Sequence, residues 1–162
     1  MTMFGLLMFP LLFACSNTQS QGVEAIKAKG KLVVALNPEF APFEYQKLVD
    51  GKNQIVGSDV ELAKAIAKEL GVEVEFSPMS FDNVLASLDS GKADLAISGV
   101  SKTEERSQVY DFSIPYYTSK NKVIVRKSEL TNYQSVKDLA QKKVGAQKGS
   151  IQETLAKETL QN

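Results

Sequence analysis

The stretch DLAISGVSKTEERSQVYDFSIPYY, residues 94–117, decides the fold because it joins a short apolar strand to a polar loop and a helix. The apolar run LAI ends at Ser98, and the pair Ser101 and Glu104 predicts a capping box at the start of a helix. Arg106 follows within that helix and has no carboxylate three or four positions away, so no helical ion pair absorbs its charge. An arginine near a helix N-terminus opposes the helix dipole. Although most arginines are solvated surface groups, this placement favours an anion that arrives from elsewhere.

Composition limits the classes of function. The chain has 162 residues, enough for one domain or for one domain and part of another. Its 19 basic residues balance its 19 acidic residues, so a nucleic-acid partner is not indicated. The absence of histidine excludes Ser-His-Asp and Cys-His catalysis and most zinc sites. We therefore predict no metal, no cofactor and no catalytic residues.

The N-terminal sequence MTMFGLLMFPLLFAC is apolar from Met3 to Ala14 and too short to span a bilayer core of about 30 Å. It is typical of a secretion signal, and its ending LFAC resembles the bacterial lipobox, in which the cysteine is lipidated. We predict a lipoprotein signal peptide over residues 1–15, a lipid on Cys15, a flexible tether over 16–22 and an extracytoplasmic location on the cell membrane. The alternative is a buried N-terminal segment with an incidental thiol.

Hydrophobic periodicity predicts alternating strands and helices in the next part of the chain. The expected strands are 31–36, 72–76 and 93–98, and the expected helices are 23–30, 58–70 and 80–91. The second of these helices is expected to start with a Ser58–Glu61 capping box, after a loop over 37–46 and a turn over 50–54. This order predicts a parallel α/β sheet with helices on both faces.

Three chain segments are expected to meet at one edge of this sheet. Asn37 and Phe40, then Phe81, and then the segment from Ser98 to Arg106 all follow predicted strand ends. Ligands of such sheets bind beyond the carboxyl ends of the strands. The sequence therefore predicts a binding site at this edge.

The chain after residue 117 begins a further α/β unit. Its expected strands are 120–127 and 142–147, and its expected helices are 135–141 and the segment after Ser150, with Ser150 and Glu153 as a capping box.

Several motifs in one order resemble those of the amino-acid-binding solute-binding proteins of ABC importers, extracellular family 3. The motifs are GSDVEL at 57–62 with the helix to Leu70, APFEY at 41–45, the stretch at 91–117, and VGAQKGSIQE at 144–153. The resemblance runs from about Lys31 to the C-terminus, and Ser58 departs from the apolar or aromatic residue that is usual at its position.

The resemblance implies a type II periplasmic-binding-protein-like α/β fold with two lobes that close on one amino acid. Lobe I would occupy 23–117 as a nearly complete lobe with a parallel-type sheet, 118–122 would be the hinge, and 123–162 would start lobe II. The implied partners are a free amino acid, the membrane permease of an ABC importer, and the membrane through the lipid anchor. A monomer without enzymatic activity is expected.

The resemblance also implies roles for particular residues. Arg106 would clamp the ligand α-carboxylate with help from Ser101, because a guanidinium makes two parallel bonds to a carboxylate. The Ser150 and Ile151 amides would complete that site, with Gln152 as a possible further contact. Ser98 and the Gly99 carbonyl would accept hydrogen bonds from the ligand α-ammonium. Phe40 and Phe81 would sandwich the ligand side chain. Asn37 stands at a position where relatives that bind basic amino acids often have an acidic residue. The expected ligand-binding set is Asn37, Phe40, Phe81, Ser98, Gly99, Val100, Ser101, Arg106, Ser150, Ile151 and Gln152.

The family pattern continues for roughly another lobe, so the chain resembles a C-terminally truncated member. We therefore expect it to bind amino acids weakly or not at all on its own. The ligand is expected to be polar and neutral or flat and cationic. The alternatives are an enzyme of the same fold, a dehydratase or fused lytic transglycosylase, or a sensory ligand-binding domain. Glu39 and Glu44 are the only carboxylates expected at the rim, and both are expected to be solvated.

Overall fold

The central element is β1 (Lys31–Leu36), the middle strand of a three-stranded parallel sheet. The computed structural model describes residues 22–160. In it, β1 pairs with β5 (Glu73–Pro78) on one side and with β6 (Leu95–Ala96) on the other. The strand is buried from its second residue to its last because both of its faces are covered.

Helices cover the two faces of the sheet. On one face, α2 (Ser58–Leu70) packs Ala63 and Ala67 onto β1, with Ile26 of α1 (Val23–Lys29) beside them. On the opposite face, α3 (Phe81–Asp89) packs its buried Val84 onto the strand. The predicted parallel α/β sheet with helices on both faces is confirmed.

The loop and turn expected between β1 and α2 instead contain an antiparallel sheet. Its strands are β2 (Glu39–Phe40), β3 (Glu44–Val49) and β4 (Lys52–Val56). These strands carry many exposed polar residues, so the apolar alternation that marks a half-buried strand is weak. The signal that was missed is the Asp50–Gly51 turn between β3 and β4, a dipeptide typical of tight hairpins, and both residues have positive φ.

The predicted capping box at Ser58 is wrong. The N-cap of α2 is Gly57, and no side chain caps it. The amides of Ser58 and Asp59 donate instead to the carbonyls of Pro42 and Phe43. The loop before β3 therefore satisfies the first amides of this helix.

The capping box predicted at Ser101 is also wrong. The helix there is the single turn α4 (Glu104–Ser107), and its N-cap is Thr103, whose hydroxyl accepts from the Arg106 amide. Only half of the capping box predicted before α5 (Ile151–Leu160) is present, since Glu153 N donates to Ser150 Oγ at 3.2 Å. The other half is wrong, because the Glu153 carboxylate accepts from the Gly149 amide at 2.7 Å, whereas the Ser150 amide donates to Gln147 O.

The two strands predicted after residue 117 are absent from the part of the chain that the structure describes. The segments 120–126 and 142–147 pair with no described strand, and two 3₁₀ helices, Lys127–Asn132 and Val136–Leu139, stand in this region. The second of them replaces the helix expected over 135–141. A strand needs a hydrogen-bonding neighbour, and among residues 22–160 none is supplied to these segments.

Two predictions concern residues before residue 22. The predicted signal peptide and the lipidated Cys15 lie outside the described residues. Within residues 22–160, no helix combines the length and the apolar character that crossing a membrane requires. The lobe and hinge boundaries stay predictions.

We predict that Gly57→Ala destabilises the lobe more than Gly71→Ala does. Both glycines have positive φ, 134° and 71°, but a Cβ at Gly57 would lie 2.1 Å from the Phe43 carbonyl oxygen, whereas a Cβ at Gly71 meets nothing within 4 Å. The Gly71 variant measures the cost of a left-handed backbone alone, about 1 kcal/mol, whereas Gly57, at φ 134° and ψ 175°, lies in a region that is essentially restricted to glycine. Urea unfolding of both variants should therefore show an additional loss of about 1 kcal/mol or more for Gly57→Ala. Equal losses would show that neither this backbone region nor the contact with Phe43 carries energetic weight.

Candidate ligand-binding site

A cavity of about 330 Å³ opens beyond the carboxyl ends of β1 and β6. Asn37 directly follows β1, Ser98 lies just beyond β6, and Phe81 begins α3 after β5. The segment before α5 closes the opposite side. The lining residues are Asn37, Phe40, Glu44, Phe81, Ser98, Gly99, Ser101, Arg106, Lys122, Gly145, Ala146, Gln147, Ser150, Ile151 and Gln152.

The structure brings every residue of the expected ligand-binding set to this cavity except Val100. Val100 packs instead against the apolar cluster around Val33 and Val84, beneath the sheet edge. The lining residues that were not predicted to contact a ligand are Glu44, Lys122, Gly145, Ala146 and Gln147.

The guanidinium of Arg106 is held by two backbone carbonyls. Nη1 donates to Ser101 O at 2.9 Å and Nη2 donates to Gly149 O at 2.8 Å. No ion pair of the described residues includes this arginine, so its positive charge meets no carboxylate there. A guanidinium has five N–H donors, so donors remain for an anion in the cavity.

The carboxyl group of Glu44 is the main feature that the sequence did not reveal. The side chain is fully buried, which makes the prediction of a solvated Glu44 wrong, whereas Glu39 is exposed as expected. Oε1 accepts from the Ser98 hydroxyl at 2.7 Å, and Oε2 has no hydrogen-bond partner. Burial raises the pKa of Glu44 to about 8; the Ser98 hydrogen bond acts in the opposite direction, and the nearby Asp59 charge raises it further.

Asp59 is a second buried carboxyl group, close enough to Glu44 to raise its pKa. It is 1% exposed and accepts a hydrogen bond from the Tyr116 hydroxyl at 2.8 Å. Burial and this bond raise the pKa of Tyr116 above its ordinary value. Burial, with this second carboxyl group nearby, makes ionisation of Glu44 costly, so Glu44, whose pKa is about 8, stays protonated near neutral pH.

Polar contacts join the segment before α5 to the sheet edge. Gln147 Nε2 donates to Asn37 Oδ1 at 3.2 Å, and Asn37 Nδ2 donates to Met79 O at 3.0 Å. Lys148 Nζ forms an ion pair with Asp82 at 2.8 Å. These contacts and the Arg106 bond to Gly149 O join the two sides of the cavity.

Aromatic rings form one wall of the cavity. Phe40 is half exposed and stacks on Phe43 with ring centroids 5.1 Å apart. Gly99 has φ of 56°, and a Cβ there would lie 2.8 Å from the Phe40 ring, so glycine is favoured at this position. A flat ligand group could lie against the exposed face of Phe40. Among the described residues, no cluster of carboxylates or thiols could hold a metal ion.

The sequence profile of the bacterial extracellular solute-binding proteins, family 3, matches residues 32–160. The chain belongs to this family. The predicted type II periplasmic-binding-protein-like fold is confirmed by the solved relatives.

Relatives of this family 3 solute-binding protein are named as amino-acid binders. The arginine-binding extracellular protein ArtP of Bacillus subtilis is 44% identical over 91% of this chain and 54% of its own. The solved substrate-binding protein AbpA of Streptococcus pneumoniae, bound to L-arginine, is 83% identical, with a TM-score of 0.83 over 86% of this chain and 59% of its own. An arginine-bound form of domain 1 from TmArgBP of T. maritima is 47% identical, with a TM-score of 0.53 over 57% of this chain and 71% of its own. The chain spans about half the length of the curated relatives it matches.

We predict that Glu44 lowers the stability of the fold as the pH rises. The pKa of its carboxyl is about 8 in the folded state, above the value of 4.5 expected when unfolded. Between pH 4.5 and about pH 8 the folded state holds more protons than the unfolded state, so the free energy of unfolding decreases as the pH rises. Below pH 4.5 the carboxyl is protonated in both states, so Glu44 adds no pH dependence there. Relative to Glu44→Gln, the wild type should lose about 1 kcal/mol or more across the window in urea unfolding.

The matched control is Glu39→Gln, because this carboxylate is exposed on β2. The stability difference between wild type and this variant should not change with pH. A Glu44→Gln difference that is equally flat would refute the raised pKa of Glu44.

Proposed function

We propose that this chain is the ligand-binding part of an extracytoplasmic receptor that captures an amino acid with a cationic side chain, arginine foremost, for an ABC importer. The observation that carries the proposal is that one cavity holds an arginine without a carboxylate partner and a buried, protonated carboxyl group. Arg106 takes part in no ion pair among the described residues, and burial keeps Glu44 uncharged near neutral pH until a cation arrives.

Arg106 would bind the ligand α-carboxylate. Its remaining donors face a cavity also lined by Ser101, Ser150 and Ile151. The last two stand at the start of α5, where the helix dipole favours an anion. The Ser150 amide already donates to Gln147 O at 3.2 Å, so its contact with the carboxylate would come through the hydroxyl or after a rearrangement. Gln152, in the same first turn, donates its amide to Asn121 Oδ1 at 2.8 Å, so its contact with a ligand would be secondary.

Glu44 would receive the cationic end of the side chain. A cation beside a buried carboxyl favours its charged form, so binding would lower the pKa of Glu44 and release its proton. The guanidinium could lie flat between Phe40 and Phe81, since both rings line the cavity. The arginine-bound relative at 83% identity supports arginine over a neutral ligand.

The α-ammonium would bind near the Gly99 carbonyl. The Ser98 hydroxyl is already used, because it accepts from Asn37 N at 2.9 Å and donates to Glu44. Asn37 would shape the cavity, since both ends of its amide bond to protein groups. Binding of the amino acid would involve no covalent step. The binding energy would instead drive closure of the two lobes about the hinge at 118–122.

Delivery to a permease and anchoring by a lipid on Cys15 complete the proposal. Family membership supports the permease partner, and the apolar start of the sequence supports the signal peptide. We also propose that the receptor works as a monomer. The sequence predicted that this chain alone binds an amino acid weakly or not at all. Of these two outcomes we propose weak binding, because a single domain of a relative, domain 1 of TmArgBP, was solved with arginine bound.

We predict that L-arginine binds this chain in isothermal titration calorimetry and that Arg106→Lys weakens it. Lysine keeps the charge and loses the planar pair of donors, so the affinity should fall about tenfold or more. The control is Arg126→Lys, because Arg126 lies outside the cavity and is the other arginine of the chain. Equal affinities for Arg106→Lys and wild type, or no saturable binding by the wild type at millimolar arginine, would contradict the proposal.

A further inference from the structure

We propose that Tyr116 is a positioning residue whose hydroxyl assigns the proton of two neighbouring buried carboxyl groups to Glu44, and so sets the charge of the cavity before a ligand binds. Glu44 lines the cavity, whereas Tyr116 and Asp59 are not among its lining residues. Tyr116 therefore acts on a ligand only through the carboxyl groups. The effect on ligand affinity rests on the proposed function, but the position of the proton can be measured without a ligand.

The backbone brings the two carboxyl groups together. The Asp59 amide donates to the carbonyl of Phe43, the residue before Glu44, at 2.9 Å. This bond places the first turn of α2 against the start of β3. Both carboxyl side chains are buried. Because water does not screen them there, two negative charges at this place would repel each other strongly.

The surroundings of the two groups differ in the way that leaves the charge on Asp59 and the proton on Glu44. Asp59 accepts from the Tyr116 hydroxyl at 2.8 Å and stands in the first turn of α2, where the helix dipole favours an anion. Glu44 Oε1 accepts from Ser98 Oγ at 2.7 Å, and Oε2 has no hydrogen-bond partner among the described residues. A phenol is more acidic than an alcohol, so the donor on Asp59 stabilises a carboxylate more than the donor on Glu44 does.

The pKa shifts agree with this assignment. Burial raises the pKa of Glu44 most, the Ser98 hydrogen bond lowers it, and the Asp59 charge raises it again. Burial and the bond to Asp59 also raise the pKa of Tyr116. The phenol therefore keeps its proton, and remains a donor to Asp59, over the whole range in which Glu44 titrates.

The position of the proton affects which ligands the cavity accepts. Besides Glu44, the charged residues that line the cavity are the cations Arg106 and Lys122, and neither forms an ion pair with Glu44 among the described residues. With Glu44 neutral, the lining attracts a carboxylate and opposes a cationic side chain. Loss of the Glu44 proton removes this opposition, so deprotonation and the binding of a cation favour each other.

The direct test follows the carboxyl carbons of Glu44 and Asp59 by ¹³C NMR while the pH of the ligand-free 162-residue chain is varied. In the wild type, the carbon that titrates near pH 8 should be that of Glu44. Tyr116→Phe keeps the ring and removes the donor, so Asp59 should take up the proton and the Glu44 midpoint should fall by about one pH unit or more. The matched control is Tyr117→Phe, because Tyr117 is exposed and its ring packs on Phe43; it should leave the midpoint unchanged.

A second variant separates this role from a general effect on the fold. Asp59→Asn places an uncharged side chain beside Glu44, so the Glu44 midpoint should fall as it does in Tyr116→Phe. If Tyr116 acts through Asp59, adding Tyr116→Phe to Asp59→Asn should cause no further fall. An unchanged Glu44 midpoint in Tyr116→Phe would overturn the proposal. A further fall in the double variant, as large as that in Tyr116→Phe alone, would overturn it as well.

Calorimetry with L-arginine tests the consequence for binding. Below about pH 8, the affinity of the wild type should rise by up to about tenfold per pH unit, because Glu44 must lose its proton when the cation binds. In Tyr116→Phe this rise should be much smaller. If the wild type binds no arginine while the NMR midpoints shift as expected, the proposed function fails and the assignment of the proton is supported. If arginine binds and the midpoints do not shift, the assignment fails and the proposed function stands.

Discussion

The hydroxyl of Ser98 connects the parts on which the site depends. It accepts from the Asn37 amide at 2.9 Å and donates to Glu44 Oε1 at 2.7 Å. One side chain thus joins the end of β1, the end of β6 and the start of the antiparallel sheet. Because all three partners are buried, the bonds are not weakened by water, and they fix where the cavity can open.

The same connection gives the cavity two electrically different sides. Arg106 is held by carbonyls and keeps its charge available, whereas Glu44 is buried, protonated near neutral pH and short of one hydrogen bond. A buried polar atom is costly unless it has a hydrogen-bond partner, and a bound ligand can supply that partner. A ligand with a carboxylate at one end and a cation at the other satisfies both groups at once.

The sequence predicted correctly those strands and helices whose hydrophobic pattern is strong. The apolar run at 31–36 and the amphipathic helix at 58–70 have strong periodicity, and the structure has both at these positions. The rim segments followed from strand order alone, since parallel strands end at one edge. Family motifs then gave Arg106 its expected role.

The rest depended on contacts between distant parts of the chain. Glu44 is buried because Ser98, 54 residues away, bonds to it, and nothing in the APFEY motif indicates that partner. The expected box at Ser58 failed because the carbonyls of Pro42 and Phe43 take the helix amides first. The strands expected after residue 117 had suitable sequences, but strands form only where a neighbour accepts their hydrogen bonds.

The most direct test of this account compares L-arginine with L-citrulline by calorimetry on the same chain. Citrulline replaces the guanidinium by a neutral urea group of nearly the same shape, so the proposed contact of its α-carboxylate with Arg106 would be unchanged. If the buried Glu44 recognises a cation, arginine should bind about tenfold or more tightly and should release a proton near neutral pH. Equal affinities without proton release would contradict the account.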